Sequence, residues 1–228
     1  MPLDLQFEDA VAVIADLSRR PLIDAARIGL WGFSQGAWVA PLAASRTPKI
    51  AFLVLLASTG VTPAEQMLYG TARHVRDAGF ADDAVQSVVT TRRLVDDWRR
   101  GSAPLERAQL AVDRLARHPW FEHAYLPRDL SAAGEWADMD FDPEPIFAGV
   151  RVPTLLFYGE DDEWSPIDAS VATWQRAAAR AGNRDVSIVR LEGTRHAPTL
   201  GGGDDDAISP DYERVLVDWL VRVLGLAS

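Results

Sequence analysis

A chain of 228 residues, 48% apolar and 25% charged, can bury a full core and has the make-up of a globular protein. Its net charge of −10 argues against nucleic acid and anionic membrane as partners, and no apolar run approaches the roughly 20 residues of a membrane span. The lack of cysteine excludes disulfides, thiolate catalysis and Cys metal sites; with no signal-peptide pattern in Met1-Pro2-Leu3-Asp4, the expected setting is cytoplasmic.

Residues 4 to 19 predict an amphipathic helix, with Phe7, Val11 and Ile14 on one face and Asp4 as its cap; Pro21 ends it. A short strand, Ile28 to Trp31, runs into Gly32-Phe33-Ser34-Gln35-Gly36 and then a helix near 35 to 45 lined with Ala37, Ala40, Ala43 and Ala44. Pro41 removes the bond to the Ala37 carbonyl and predicts a kink. Ile50 to Leu56 is apolar throughout, as in a strand covered on both faces. Three amphipathic helices follow at 63–78, 82–99 and 104–117, then the aromatic stretch His118 to Tyr125 and a Pro-rich acidic return, Asp140 to Pro145. Strands return at 153–158 and 186–191, with helices at 167–181 and 210–224; Gly201 to Asp206 predicts a solvated loop without calcium-loop spacing.

Alternation of strand and helix predicts an α/β fold with a mostly parallel sheet of about four strands. Residues 1–60 and 149–228 form the core, and 61–148 a helical cap inserted between the second and third strands. In such sheets the working residues sit at the carboxyl ends of strands. Three of those loops carry, in order, Ser34, an acidic cluster at 160–163 and His196. Ser34 lies in Gly-x-Ser-x-Gly between a strand and a helix. That context strains the backbone and exposes the hydroxyl, and it demands glycine two residues to either side, where a Cβ would strike the neighbouring strand and helix. The Gln35 N–H, at the helix N-terminus, is placed to face an oxyanion. No His, Asp or Glu spacing suggests a metal, and no phosphate loop is present, so no cofactor is expected.

The chain resembles the α/β-hydrolase family, in the C-terminal portion of that fold, and most closely its esterase and acylaminoacyl-peptidase-like members. Gly32 to Gly36 is similar to the nucleophile elbow, Gly159-Glu160-Asp161-Asp162 to the acid loop, and Gly193-Thr194-Arg195-His196 to the histidine loop. The resemblance implies a triad of Ser34, Asp162 and His196. The acid stands third after the glycine, which selects Asp162, with Asp161 as the alternative. It also implies a second oxyanion donor from an upstream loop that nothing here supplies.

The expected activity is carboxylesterase-like hydrolysis through an acyl-enzyme, with the cap as a lid over an apolar pocket and Phe33, Trp120, Phe121 and Trp164 touching substrate. The alternatives are a peptidase or amidase of the same architecture, and a truncated, non-catalytic binding protein. The 28–31 strand lacks Lys, Pro or an inward charge to protect an edge, so it is expected to pair either with a second copy or with an N-terminal segment.

Overall fold

The computed structural model describes residues 3–201 and 207–226, so most of the predicted 201–206 loop lies outside the described residues. The chain divides into two compact units: Met1–Val61 with Asp142–Ser228, and Thr62–Phe141.

The first unit is built on a four-stranded parallel sheet: β1 (Leu30–Phe33), β2 (Leu53–Leu56), β3 (Thr154–Gly159) and β4 (Val186–Leu191), in the order β1-β2-β3-β4. Every residue of β2 and β3 is buried, as their unbroken apolar runs predict. β1 is an edge strand with Trp31 half exposed. It begins two residues later than expected. The chain first makes a 3-10 turn at Ala25–Arg27, capped by the Asp24 carboxylate, and the ladder opens where Leu30 N–H meets the Phe52 carbonyl.

Helix α1 (Leu3–Leu17) starts before Asp4, which therefore lies within its first turn rather than at its cap. It packs on α2 (Gly36–Arg46). α2 runs through Pro41 without a break. The Ala37 carbonyl that Pro41 leaves unpaired accepts instead from the Ser58 hydroxyl, 3.2 Å away and buried. α7 (Ile167–Ala181) and α8 (Pro210–Leu224) have the predicted bounds. Tyr212 and Trp219 of α8 share an apolar cluster with Val54, Leu56, Leu155 and Phe157.

The acidic return is not irregular throughout. Glu144–Phe147 forms a one-turn helix, α6, whose Glu144 carboxylate binds Arg176 and Arg180 of α7 at 2.7 and 3.0 Å. These contacts place residues 142–148 with the sheet, seven residues earlier than the expected boundary.

The second unit comprises α3 (Pro63–Asp77), α4 (Asp82–Arg99), α5 (Leu105–Leu115) and a 3-10 turn at Pro119–His123. α3 opens on a capping box: Thr62 Oγ1 accepts from Glu65 N–H, and the Glu65 carboxylate accepts from Thr62 N–H. The unit has its own core around Val75, Val88, Val95, Val112, Leu115 and Phe121. Arg92 is 1% exposed within it, donates to the Ala124 and Tyr125 carbonyls at 2.9 and 2.7 Å, and has its pKa lowered to about 10 by burial.

Candidate active site

Ser34 belongs to strand and helix at once. Its N–H donates to the Leu56 carbonyl at 3.0 Å, continuing the β1–β2 ladder, and its carbonyl accepts from Ala37 N–H at 2.9 Å, opening α2. No ordinary conformation serves both, and Ser34 takes φ +53°, the left-handed region that a residue with a Cβ seldom adopts. The glycines flanking it are not equivalent. A Cβ on Gly32 would overlap the Gly36 carbonyl, whereas a Cβ on Gly36 would meet nothing within 4 Å. The expectation that both positions demand glycine for room is therefore corrected. Gly36 stands at the first residue of α2, where the space is open.

Asp162 follows β3. Its residue is 1% exposed, and Oδ1 accepts from Trp164 N–H at 2.8 Å and Ser165 N–H at 3.0 Å. These donors fix the carboxylate before any histidine is considered. His196 Nδ1 lies 3.0 Å from Asp162 Oδ1 and 3.1 Å from Oδ2, and its Nε2 lies 3.0 Å from Ser34 Oγ. With the proton on Nδ1 donated to the carboxylate, Nε2 is left to accept from the serine hydroxyl.

The acid and histidine loops are joined through backbone. Glu160 N–H donates to the Leu191 carbonyl at 3.0 Å and Asp161 N–H to the Thr194 carbonyl at 3.1 Å. A Cβ on Gly159 would overlap the Arg195 carbonyl, so this crossing needs glycine for room. Asp161 thus serves the crossing with its backbone. Glu163 pairs with Arg195 at 3.3 Å, a second link between the same loops.

Phe33 lies beside the site, its ring centroid 5.0 Å from that of His196. Trp164 supplies its backbone N–H to Asp162. Among the described residues, the Gln35 N–H, at the α2 N-cap, takes part in no backbone hydrogen bond of the turn. Of the two aromatics expected against substrate in the helical unit, Phe121 lies in that unit's core and Trp120, partly buried, packs against it. Phe121 is 8% exposed with the Arg128 guanidinium 4.7 Å over its ring, and Trp120 stacks on His118 at 4.3 Å and meets Phe80 edge to face.

Sequence reasoning missed a buried polar layer behind the site. Tyr158 O–H donates to the Ser58 carbonyl at 2.7 Å, and Trp174 Nε1–H to Ser58 Oγ at 3.0 Å. Burial, and secondarily the Asp162 charge, push the Tyr158 phenol well above its ordinary pKa, so it stays a donor. The Trp164 and Ser165 donors were readable: Asp followed three residues later by Ser before a helix is a local side-chain-to-backbone pattern. Among the described residues no group of three or more His, Asp or Glu side chains has the geometry to hold a metal ion, and no helix is long and apolar enough to cross a membrane.

A model of the alpha/beta hydrolase family matches residues 1–212. Among solved structures, VinJ is 18% identical, with a TM-score of 0.60 over 97% of this chain and 73% of that one. The acylaminoacyl peptidase of Pyrococcus horikoshii is 15% identical, with a TM-score of 0.51 over 97% of this chain and 28% of that one. The acetyl xylan esterase of Paenibacillus sp. R4 is 16% identical, with a TM-score of 0.50 over 95% of this chain and 51% of that one. The chain therefore spans about three quarters of the first, just over a quarter of the second and about half of the third. No curated protein sequence matches it.

Proposed function

This chain belongs to the alpha/beta hydrolase family, and on that premise we propose that it is a serine hydrolase cleaving carboxylic esters through an acyl-enzyme on Ser34. The observation that carries the reading is the unbroken chain of contacts from Ser34 Oγ to His196 Nε2 and from His196 Nδ1 to the Asp162 carboxylate, each near 3.0 Å. A serine hydroxyl is a weak nucleophile and needs a base beside it. Ser34 Oγ attacks the ester carbonyl while its proton passes to His196 Nε2. Asp162 holds the Nδ1–H tautomer and stabilises the imidazolium. The negative carbonyl oxygen accepts from the Gln35 N–H. Collapse breaks the bond to the alcohol oxygen, which leaves with the proton from Nε2. Water then repeats the two steps, releasing the acid and restoring Ser34.

The cysteine-free composition suits a cytoplasmic enzyme in this reading. The test is covalent labelling with a fluorophosphonate, the adduct located by peptide mass. Stoichiometric modification of Ser34, absent from Ser34→Ala, is the expected result. An unlabelled, folded protein would leave a non-catalytic binding protein as the better reading. Turnover of an ester against its matched anilide then separates esterase from peptidase or amidase, with the ester expected to react faster.

A further inference from the structure

A second strained turn stands beside the one that holds Ser34. Directly after β2, Ala57 takes φ +53°, the same left-handed value as Ser34, with no glycine to ease it. The turn it begins, residues 57–60, is buried and held from three sides. Ala57 N–H donates to the Phe157 carbonyl of β3 at 2.9 Å, Tyr158 O–H to the Ser58 carbonyl at 2.7 Å, and Gly60 N–H to Ser170 Oγ of α7 at 3.0 Å. A Cβ on Gly60 would lie 2.7 Å from Ser170 Cα, so the turn runs directly against the backbone of α7. Its carbonyls are therefore fixed points.

Trp38 ties the nucleophile turn to one of them. Its indole N–H donates to the Thr59 carbonyl at 2.6 Å in the buried interior, and its backbone N–H donates to the Gln35 carbonyl at 3.0 Å. The first turn of α2 has little else to steady it. Gln35 makes no side-chain cap, and a Cβ on Gly36 would meet only open space. The bonds of Trp38 to Thr59 and of Ser58 Oγ to the Ala37 carbonyl fasten that turn to the end of β2. The same anchor reaches the acid: Thr59 Oγ1 lies 3.4 Å from Ser165 Oγ, and the Ser165 N–H holds Asp162.

We propose that Trp38 is a positioning residue for the oxyanion donor. Its indole N–H, held on Thr59, keeps the first turn of α2 in place, so that the Gln35 N–H stays aimed at the oxygen that becomes negative. This role rests on the serine-hydrolase reading above, and Trp38 exerts it through Gln35 without acting on the substrate itself.

The experiment is active-site titration of the full chain with a fluorophosphonate, followed by ester kinetics expressed per titrated site, on the wild type and on Trp38→Phe. The variant keeps an aromatic ring and removes the donor. A merely structural tryptophan would lower the fraction of titratable sites and leave kcat per site alone. A positioning one should lower kcat per site at least tenfold with KM within twofold, a part of the roughly 10²–10³ that a whole oxyanion donor carries. An unchanged kcat per site in Trp38→Phe, with or without a change in KM, would overturn the proposal. If Trp38→Phe fails to fold by circular dichroism, β-(3-benzothienyl)alanine at position 38, which keeps the two-ring shape and lacks the N–H, is held to the same two outcomes. A folded wild type that is not labelled at Ser34 would overturn the serine-hydrolase reading and this role with it. A labelled wild type beside a variant of equal turnover would overturn the role of Trp38 alone.

Discussion

Ser34 Oγ and His196 Nε2 lie 3.0 Å apart although 162 residues separate them in the chain. The two strands that precede them, β1 and β4, are opposite edges of the sheet, roughly 14 Å apart at ordinary strand spacing. The loop after β4 therefore has to return across the end of β3. It is held there by the Asp161 N–H to Thr194 carbonyl bond and by the absence of a Cβ at Gly159. If the two side chains act as one unit, their losses do not add. Ser34→Ala and His196→Ala should each lower ester turnover by several orders of magnitude, and the double variant should lose little more than either alone. Additive losses in kcat would mean that the contact is not used in turnover.

The acid can be tested just as sharply, because two aspartates stand side by side with different tasks. Asp162 puts its carboxylate on His196 Nδ1, while Asp161 uses its backbone N–H. Asp162→Asn should cost on the order of 10⁴ in kcat by favouring the wrong imidazole tautomer. Asp161→Asn keeps its backbone donor and should change kcat by less than about threefold, well under 1 kcal/mol. Parallel kinetics on the two variants check this, and a reversal would move the role to Asp161.

The glycines of the elbow divide in the same way. Gly32→Ala would drive a Cβ into the Gly36 carbonyl, so it should both destabilise the fold and abolish turnover by shifting Ser34. Gly36→Ala meets open space at the start of α2 and should be neutral or stabilising by up to about 1 kcal/mol, since alanine is the better helix former. Thermal melts and esterase assays of the pair would separate them. Equal damage from both would show that the helix start is more crowded than its geometry indicates.

Much of this arrangement could be read from the residues. β2 and β3 are unbroken apolar runs because both of their faces are covered, and α4, α7 and α8 fall at their predicted residues because their apolar spacing is helical throughout. That Ser34, Asp162 and His196 would come together was legible because each follows a strand at the same end of a parallel sheet. What escaped depends on distant partners. No local pattern tells that Phe121 is enclosed by its own helical unit, or that Glu144 is fastened by Arg176 and Arg180 from more than 30 residues on. Pro41 is the instructive case. Its local cost was foreseen, but the hydroxyl that answers it comes from Ser58, 21 residues after the Ala37 whose carbonyl it serves.

That compensation yields the last prediction. Ser58 Oγ donates to the carbonyl of Ala37 that Pro41 cannot serve, and it accepts from Trp174 Nε1–H. Both partners are buried, with Ala37 at 0% and Trp174 at 1% exposure, so water cannot replace the hydroxyl without reopening the core. Ser58→Ala leaves a donor and an acceptor unpaired and should destabilise by about 1–3 kcal/mol, read as a lower midpoint in urea with an unchanged slope. Pro41→Ala returns an N–H to position 41, four residues after Ala37, and restores the helical bond. In the Ser58→Ala background it should recover about 1 kcal/mol more than it contributes in the wild type. The cycle isolates the Ala37 carbonyl, because the loss of the Trp174 bond is common to both variants that carry Ser58→Ala and cancels. A recovery equal in both backgrounds would mean that Ser58 does not answer the proline, and that its hydroxyl is held in place by Trp174 alone.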